Sequence, residues 1–343
     1  VIRGRATRYG GDTGLGQGHR AAVPRPAVRA GGGNRPRGGG FPARTAERES
    51  ARGAVRMLGP MGRPAYALVA TDLDGTLLRG DDTLSARTRA ALGRAERAGA
   101  RHLVVTGRPV PRVRPLLAEL GATGLAVCGQ GAQVYDAGAR RMLWSVALDR
   151  ETAEAALGKI EAETGPVHAA VDQDGTDGAT LVEPGFVMPH PTLPARRVGR
   201  REELWRTPVS KVLLRHPGLS DDALAAAARA AVDSLVTVVV SGPGTVELQP
   251  RGVTKATGLA LAAGRLGVDG ERTIAFGDMP NDIPMFRWAG HGVAMAGAHP
   301  ELRAVADEVT LTNEDDGVAV VLDRIFGAVR RGGRGAGRRI STR

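Results

Sequence analysis

Cysteine is almost missing from this chain: Cys128 stands alone among 343 residues. A single thiol excludes an internal disulfide and offers no cysteine cluster to a metal. It lies in the apolar run Leu125–Cys128 and reads as a buried structural thiol, not a nucleophile. Aromatic residues are also few, at 3%, so a core must be packed by Leu, Val and Ala, for which 42% hydrophobic content suffices. No uncharged apolar run reaches the length of a spanning helix, and the N-terminus lacks an apolar signal-peptide core. The expected location is the cytoplasm. Lysine is nearly as scarce as cysteine, with only Lys159, Lys211 and Lys255. His102, His168, His190, His216, His291 and His299 show no ligand spacing and are assigned no metal.

The net charge of +11 is unevenly placed. Residues 1–60 carry 12 Arg against three acids, and residues 327–343 carry six Arg and no acid. The stretch between them is therefore mildly acidic. A nucleic-acid-binding domain is expected to carry its basic patch on the fold, so no specific nucleic-acid partner is expected. Residues 1–60 are rich in Gly, Arg and Pro without periodicity, which cannot offset chain entropy by burial; they are expected to be disordered, as is the basic tail 327–343. Met57 and Met61 stand just before the first strand, so an over-long upstream reading frame is one expectation for 1–60.

Between the tails, strand and helix patterns alternate. The apolar run Tyr66–Thr71 ends in Asp72-Leu73-Asp74-Gly75-Thr76. Two carboxylates two residues apart at a strand end are expected to point the same way. Their mutual repulsion calls for a divalent cation beside them. Leu103–Val105 is a second buried strand, ending in Thr106-Gly107-Arg108, and Thr273–Gly277 is a third, ending in Asp278-Met279-Pro280-Asn281-Asp282. Lys255 opens an Ala/Leu-rich helical stretch. Ser85 is expected to cap a helix to about Ala98, a second helix runs from about Pro109 to Leu120, and Gln133–Asp136 and Arg141–Val146 read as a hairpin. Such alternation implies a doubly wound parallel sheet, whose sites lie beyond the carboxyl ends of the strands. The expected organisation is a core over 64–147 and 251–326, interrupted by an inserted α/β unit over 148–250.

The order of these four segments resembles the haloacid dehalogenase superfamily of phosphohydrolases, in its Cof-like branch with a large α/β cap between the second and third motifs. About 145 residues separate Arg108 from Lys255 here. The resemblance runs from about Tyr66 to Phe326 and includes Gly292-Val293-Ala294-Met295 and Asp315-Asp316-Gly317-Val318. It implies a Rossmann-like core and Mg²⁺-dependent hydrolysis of small phosphorylated metabolites through an aspartyl-phosphate.

Carboxylates can serve as phosphoryl acceptors and as acid–base groups. Asp72 is the candidate nucleophile and Asp74 the candidate general acid/base, with its peptide carbonyl a metal ligand by resemblance. Asp278 supplies a further carboxylate to Mg²⁺, which prefers oxygen. Asp282 reaches back as ligand or orienter if a helix starts near Pro280. Thr106 and Gly107 suit a phosphoryl group, Lys255 neutralises its charge, and Asn281 holds phosphate or Lys255. Arg108 meets substrate or pairs with an acid. Relatives usually have Asn-Gly-Ala where this chain has Gln130-Gly131-Ala132, which puts the substrate-side contact of Gln130 in doubt. Lys211 reads as structural, and Asp172, Asp174 and Asp177 as a solvated turn. The alternatives are a phosphotransferase such as a hexose phosphomutase of the same fold, and a non-catalytic binding protein.

Overall fold

The computed structural model describes residues 65–188, 194–242 and 244–327. Residues 1–60, the tail beyond Gly327, Met57, Met61 and His190 lie outside them, as do the expectations for those stretches.

The chain opens with β1 (Leu68–Thr71), α1 (Ala86–Arg97), β2 (Arg101–Val105), α2 (Val110–Glu119) and β3 (Leu125–Cys128), followed by the hairpin β4 (Gln133–Asp136) and β5 (Arg141–Ser145). A second unit contains α3 (Arg150–Thr164), β6 (His168–Gln173), β7 (Thr180–Val182), β8 (Arg196–Arg197), β9 (Val209–Arg215), α4 (Asp221–Val232), β10 (Val236–Gly242) and β11 (Thr245–Pro250). The chain then returns through α5 (Lys255–Leu266), β12 (Thr273–Gly277), α6 (Ile283–Trp288), β13 (His291–Ala294), α7 (Pro300–Val305), β14 (Glu308–Val309) and α8 (Gly317–Phe326).

The first and last groups share one eight-stranded sheet in the order β14-β13-β12-β1-β2-β3-β4-β5. It is parallel from β14 to β3 and antiparallel through the hairpin. Strands covered on both faces read as continuous apolar runs, and β1 is buried at every position. Alternation sends Val69 to the layer of α1, α2 and α8, with Ala91, Val113 and Leu322. It sends Leu68 and Ala70 to the layer of α5, α6 and α7, with Leu259, Phe286 and Leu302. This is the doubly wound, Rossmann-like core. Ser85 caps α1 as expected, its Oγ accepting from the Thr88 N–H at 2.9 Å.

The middle group forms its own six-stranded sheet, β10-β11-β9-β6-β7-β8, antiparallel except for β7 beside β8. Its helices α3 and α4 cover one face, packing Leu157, Ile160, Leu224 and Ala228 on Val171, Val212, Leu214, Val246 and Leu248. Residues with the opposite parity, Asp172, Lys211, Glu247 and Gln249, are turned away from these helices and are still buried. Their cover is the carboxyl end of the core sheet, where Lys211 bonds to Gly107 and Glu247 to Gln130. Asp172 therefore departs from the expected solvated turn: it is 2% exposed and accepts from the Thr180 hydroxyl at 2.6 Å. Asp174 accepts from Gln133 and Ser145 of the core hairpin at 2.8 and 2.6 Å, and only Asp177, paired with Arg114, lies at the surface. Among the described residues no helix is long and apolar enough to cross a membrane.

Candidate active site

The parallel strands β1 and β12 are neighbours, with Thr71 level with Phe276. Their carboxyl ends therefore bring two acidic turns together. Asp72 closes β1, its N–H donating to the Phe276 carbonyl at 3.0 Å. The chain then turns tightly over Leu73–Leu77, with Gly75 at φ 70°. A Cβ on Gly75 would collide with the Asp278 carboxylate, so only glycine lets the first turn pass beneath the second. Thr76 Oγ1 donates to Asp278 Oδ1 at 3.0 Å and ties the turns to each other.

Opposite them, Thr254 caps α5 and puts Lys255 at its first position, 1% exposed. Lys255 Nζ lies 2.9 Å from Asp72 Oδ1 and 2.7 Å from Asp282 Oδ1. Asp282 Oδ2 accepts from the backbone N–H groups of Asp278 and Met279 at 3.0 and 3.1 Å. The helix expected from Pro280 is delayed: Pro280–Asp282 is a single tight turn and α6 begins at Ile283. Asp282 thus folds its carboxylate back over its own turn and does not project from a helix face.

Oxygens of Asp72, Asp278 and Asp282 lie within 4.8 Å of one another. Three acids against one lysine leave excess negative charge in a buried place. Burial drives the Asp72 carboxyl well above the ordinary value; Lys255 pulls it back, and Asp282, Asp278 and Asp74 push it up again. Burial and then the charge of Asp282 lift Asp278 to about 7, against the pull of Lys255 and Thr76. Burial opposes the charge on Lys255, yet Asp282 and Asp72 hold it above the ordinary lysine value. Hard oxygen donors gathered with uncompensated charge are what a small divalent cation requires.

Asp74 does not join this cluster. The chain has left the strand by Leu73, so the two-residue period no longer applies, and the Asp74 carboxylate turns toward Arg108. The guanidinium binds Asp74, with Nε 3.0 Å from Oδ2, and its Nη2 also holds Asp82. Asp74 remains largely exposed, with 58% of its side chain accessible, whereas Arg108 is mostly covered at 13%. The partial loss of water around Asp74 would raise its carboxyl, but the bond and charge of Arg108, with Arg112 and Lys255 beyond, hold it below the usual range. Of the two readings open for Arg108, the structure contains the ion pair.

Thr106 is fully buried, and its Oγ1 accepts from the Arg108 N–H at 3.1 Å, which leaves the hydroxyl proton available to a ligand. Among the described residues Asn281 makes no side-chain hydrogen bond to Lys255. Its Nδ2 donates to Gln130 Oε1 at 3.0 Å, and its buried Oδ1 has no partner. Gln130 is 2% exposed and its Nε2 donates to Glu247 Oε2 at 3.0 Å. Lys211, read from sequence as structural, reaches the site: its Nζ donates to the Gly107 carbonyl at 3.0 Å and to Glu247 Oε1 at 2.6 Å. Lys211 and Glu247 are the residues that sequence reasoning missed. The available signal was a charged residue alternating with buried apolar ones, as in Val246-Glu247-Leu248. Cys128 is buried as expected, and burial pushes its thiol far above the ordinary value.

The haloacid dehalogenase-like hydrolase family model matches residues 69–322. An HMP-PP phosphatase of Serratia proteamaculans is 29% identical over 265 residues, covering 74% of this chain and 93% of that protein. A 5-amino-6-(5-phospho-D-ribitylamino)uracil phosphatase of Bacillus subtilis is 28% identical over 288 residues, covering 75% and 97%. Among solved structures, a haloacid dehalogenase-like hydrolase from Bacteroides thetaiotaomicron has a TM-score of 0.63 at 27% identity, with 76% of this chain and 100% of that one covered. Another from B. subtilis has a TM-score of 0.65 at 26% identity, covering 76% and 99%.

Proposed function

This chain belongs to the haloacid dehalogenase-like hydrolases and is a phosphatase, and on that premise we propose that it hydrolyses small phosphorylated metabolites through an aspartyl-phosphate on Asp72, with Mg²⁺ as cofactor. The observation that carries the reading is the convergence of Asp72, Asp278 and Asp282 at the ends of β1 and β12, with Lys255 paired to Asp72 and Asp282. The named relatives act on small phosphorylated compounds, which supports the same substrate class here.

In the proposed reaction an Asp72 oxygen attacks phosphorus in line with the ester oxygen. The P–O ester bond breaks, and the departing alkoxide takes a proton from Asp74. Asp74, now ionised, accepts a proton from water, whose oxygen attacks the aspartyl-phosphate. The bond to Asp72 breaks, phosphate leaves and Asp74 is again protonated. Such proton transfers contribute typically about 10²–10⁴-fold. Thr106 donates its hydroxyl to a phosphoryl oxygen, the Gly107 loop approaches the phosphoryl group, and Lys255 offsets its charge. Asp74 must leave Arg108 to act, because the ion pair keeps it ionised.

Asp72, Asp278 and the Asp74 peptide carbonyl would hold the cation; Asp282, whose oxygens already take Lys255 and two backbone donors, would orient Asp278 and Lys255. When bound, the cation would neutralise charge on the phosphoryl oxygens.

In this reading residues 148–250 act as a cap over the site, the setting is cytoplasmic, and nucleic acid is no partner. The direct test is phosphate release from a panel of phosphorylated sugars, nucleotides and cofactors. A preferred small substrate is expected. Release from none of them, with magnesium present, would overturn the reading, and an isomerised product without free phosphate would identify a phosphomutase.

A further inference from the structure

The turn between β3 and β4 holds three successive residues, Gly129, Gln130 and Gly131, in the left-handed region, at φ 56°, 57° and 97°. Glycine adopts this backbone freely, whereas the Cβ of glutamine is crowded in it. A long amide kept in a strained, buried position is held there by its contacts, and those of Gln130 cross the molecule. Its N–H donates to the Thr106 carbonyl at 3.1 Å. Its Oε1 accepts from Asn281 at 3.0 Å, within the Asp278–Asp282 turn. Its Nε2 donates at 3.0 Å to Glu247, on β11 of the inserted unit. Glu247 also accepts from Lys211 at 2.6 Å, and Lys211 returns to the core at the Gly107 carbonyl. A Cβ on Gly107 would sit 2.5 Å from Gln130 Nε2, so this loop closes directly onto the amide.

All four side chains are buried: Gln130 2%, Glu247 3%, Lys211 4% and Asn281 7% exposed. Withdrawing the inserted unit would break the Gln130–Glu247 and Lys211–Gly107 bonds together. It would also leave the Gln130 amide without its protein acceptor. The Asn281 end of the same amide lies in the turn that carries Asp278 and Asp282. One side chain therefore touches both the inserted unit and the acidic turn.

We propose that Gln130 is a positioning residue: its amide joins Glu247 of the cap to Asn281, so that cap closure and the ordering of the Asp278–Asp282 turn occur together. This rests on the phosphatase reading of the site, and it concerns how that site is assembled. The hydrogen-bond polarity of the chain is defined, with Asn281 donating to Gln130, and Gln130 and Lys211 donating to Glu247. Exchanging the two middle groups preserves these three bonds, and Gln249, which donates to Glu247 Oε2 at 3.3 Å, keeps its contact by turning its amide oxygen toward residue 247. In a Gln130→Glu, Glu247→Gln double variant, residue 130 accepts from both Asn281 and residue 247, and Lys211 still finds an oxygen. In Gln130→Glu alone, two carboxylates face each other.

The test uses the full chain and two readouts. Amide hydrogen exchange is followed at 245–250 and at 278–282, and turnover is measured on a small phosphate ester. Gln130→Glu is expected to speed exchange in both segments together and to lower kcat by about ten-fold, within the coupling range of one hydrogen-bond network. The double variant is expected to restore both. A double variant no better than the worse single one overturns the proposal, as does faster exchange confined to one segment. If Gln130→Glu fails to fold, Gln130→Ala carries the exchange test: acceleration of both segments supports the coupling, and an unchanged 278–282 segment refutes it. Failure of the phosphatase reading is distinguishable, since hydrogen exchange measures the coupling even in a wild-type chain that releases no phosphate.

Discussion

Lys255 Nζ lies 2.9 Å from Oδ1 of Asp72, the proposed nucleophile. The two residues are far apart in the chain and meet because the chain returns to the core sheet after the insertion. The lysine opposes the rise that burial, and then Asp282, Asp278 and Asp74, impose on the Asp72 carboxyl.

Asp72→Asn should abolish turnover and leave folding intact. It removes the proposed nucleophile and relieves repulsion among the buried acids. The expected residual rate is below about a hundredth of wild type, as for loss of a nucleophile acting within a unit. Higher turnover with an unchanged melting temperature would move the nucleophile elsewhere.

Lys255→Met should destabilise the protein by about 3–5 kcal/mol in metal-free buffer, because it strips buried carboxylates of their counter-charge. Denaturant melts above pH 7 measure this. Added magnesium should recover part of the loss, since a cation replaces some of the missing positive charge. A change within the ±0.5 kcal/mol typical of surface substitutions would mean the ion pair is unimportant.

Metal affinity should rise with pH through neutrality. Asp278 holds its proton up to about 7 in the metal-free fold, first because of burial and then because of Asp282. A cation must displace that proton. Without metal the linkage runs the other way. The folded-state value is above the unfolded one, so the contribution of this group to stability is full at low pH and is lost as pH rises through about 7. The melting-temperature gain from magnesium should therefore be larger at pH 8 than at pH 5.5. Equal gains would contradict the assignment of Asp278 as a ligand.

Arg108→Gln should move the pH dependence of turnover. The guanidinium holds the Asp74 carboxyl low against its partial desolvation, so removing it raises that carboxyl. Asp74 must be protonated to supply the departing alkoxide, so the basic limb of kcat/KM is expected to shift upward in pH. An unshifted limb, whatever the change in rate, would separate Asp74 from the proton transfers.

Substrate size offers a test of the cap. Glu247 and Lys211 reach Gln130 and Gly107 directly, leaving little room for a folded protein or a duplex. A small sugar phosphate should be turned over with far higher kcat/KM than a phosphopeptide or a 5′-phosphorylated oligonucleotide. Comparable turnover of either large substrate would show that the closed arrangement is not the working one.

Local and periodic features of this protein are legible in its residues alone. Apolar runs closed by Asp72, Thr106 and Asp278 identify parallel strands and place chemistry at their ends, because strand burial and turn formation depend on a few adjacent residues. Ser85 marks the start of α1 for the same reason. Which charges meet is a matter of the folded chain. A strand period puts Asp74 beside Asp72, but the turn after Leu73 sends it to Arg108. Asp172 reads as solvated, and the core covers it. Lys211 and Glu247 sit on cap strands with nothing nearby in sequence to suggest Gln130 or Gly107 as partners. Contacts of this kind depend on how the inserted unit seats on the core, and no periodicity within a strand encodes that.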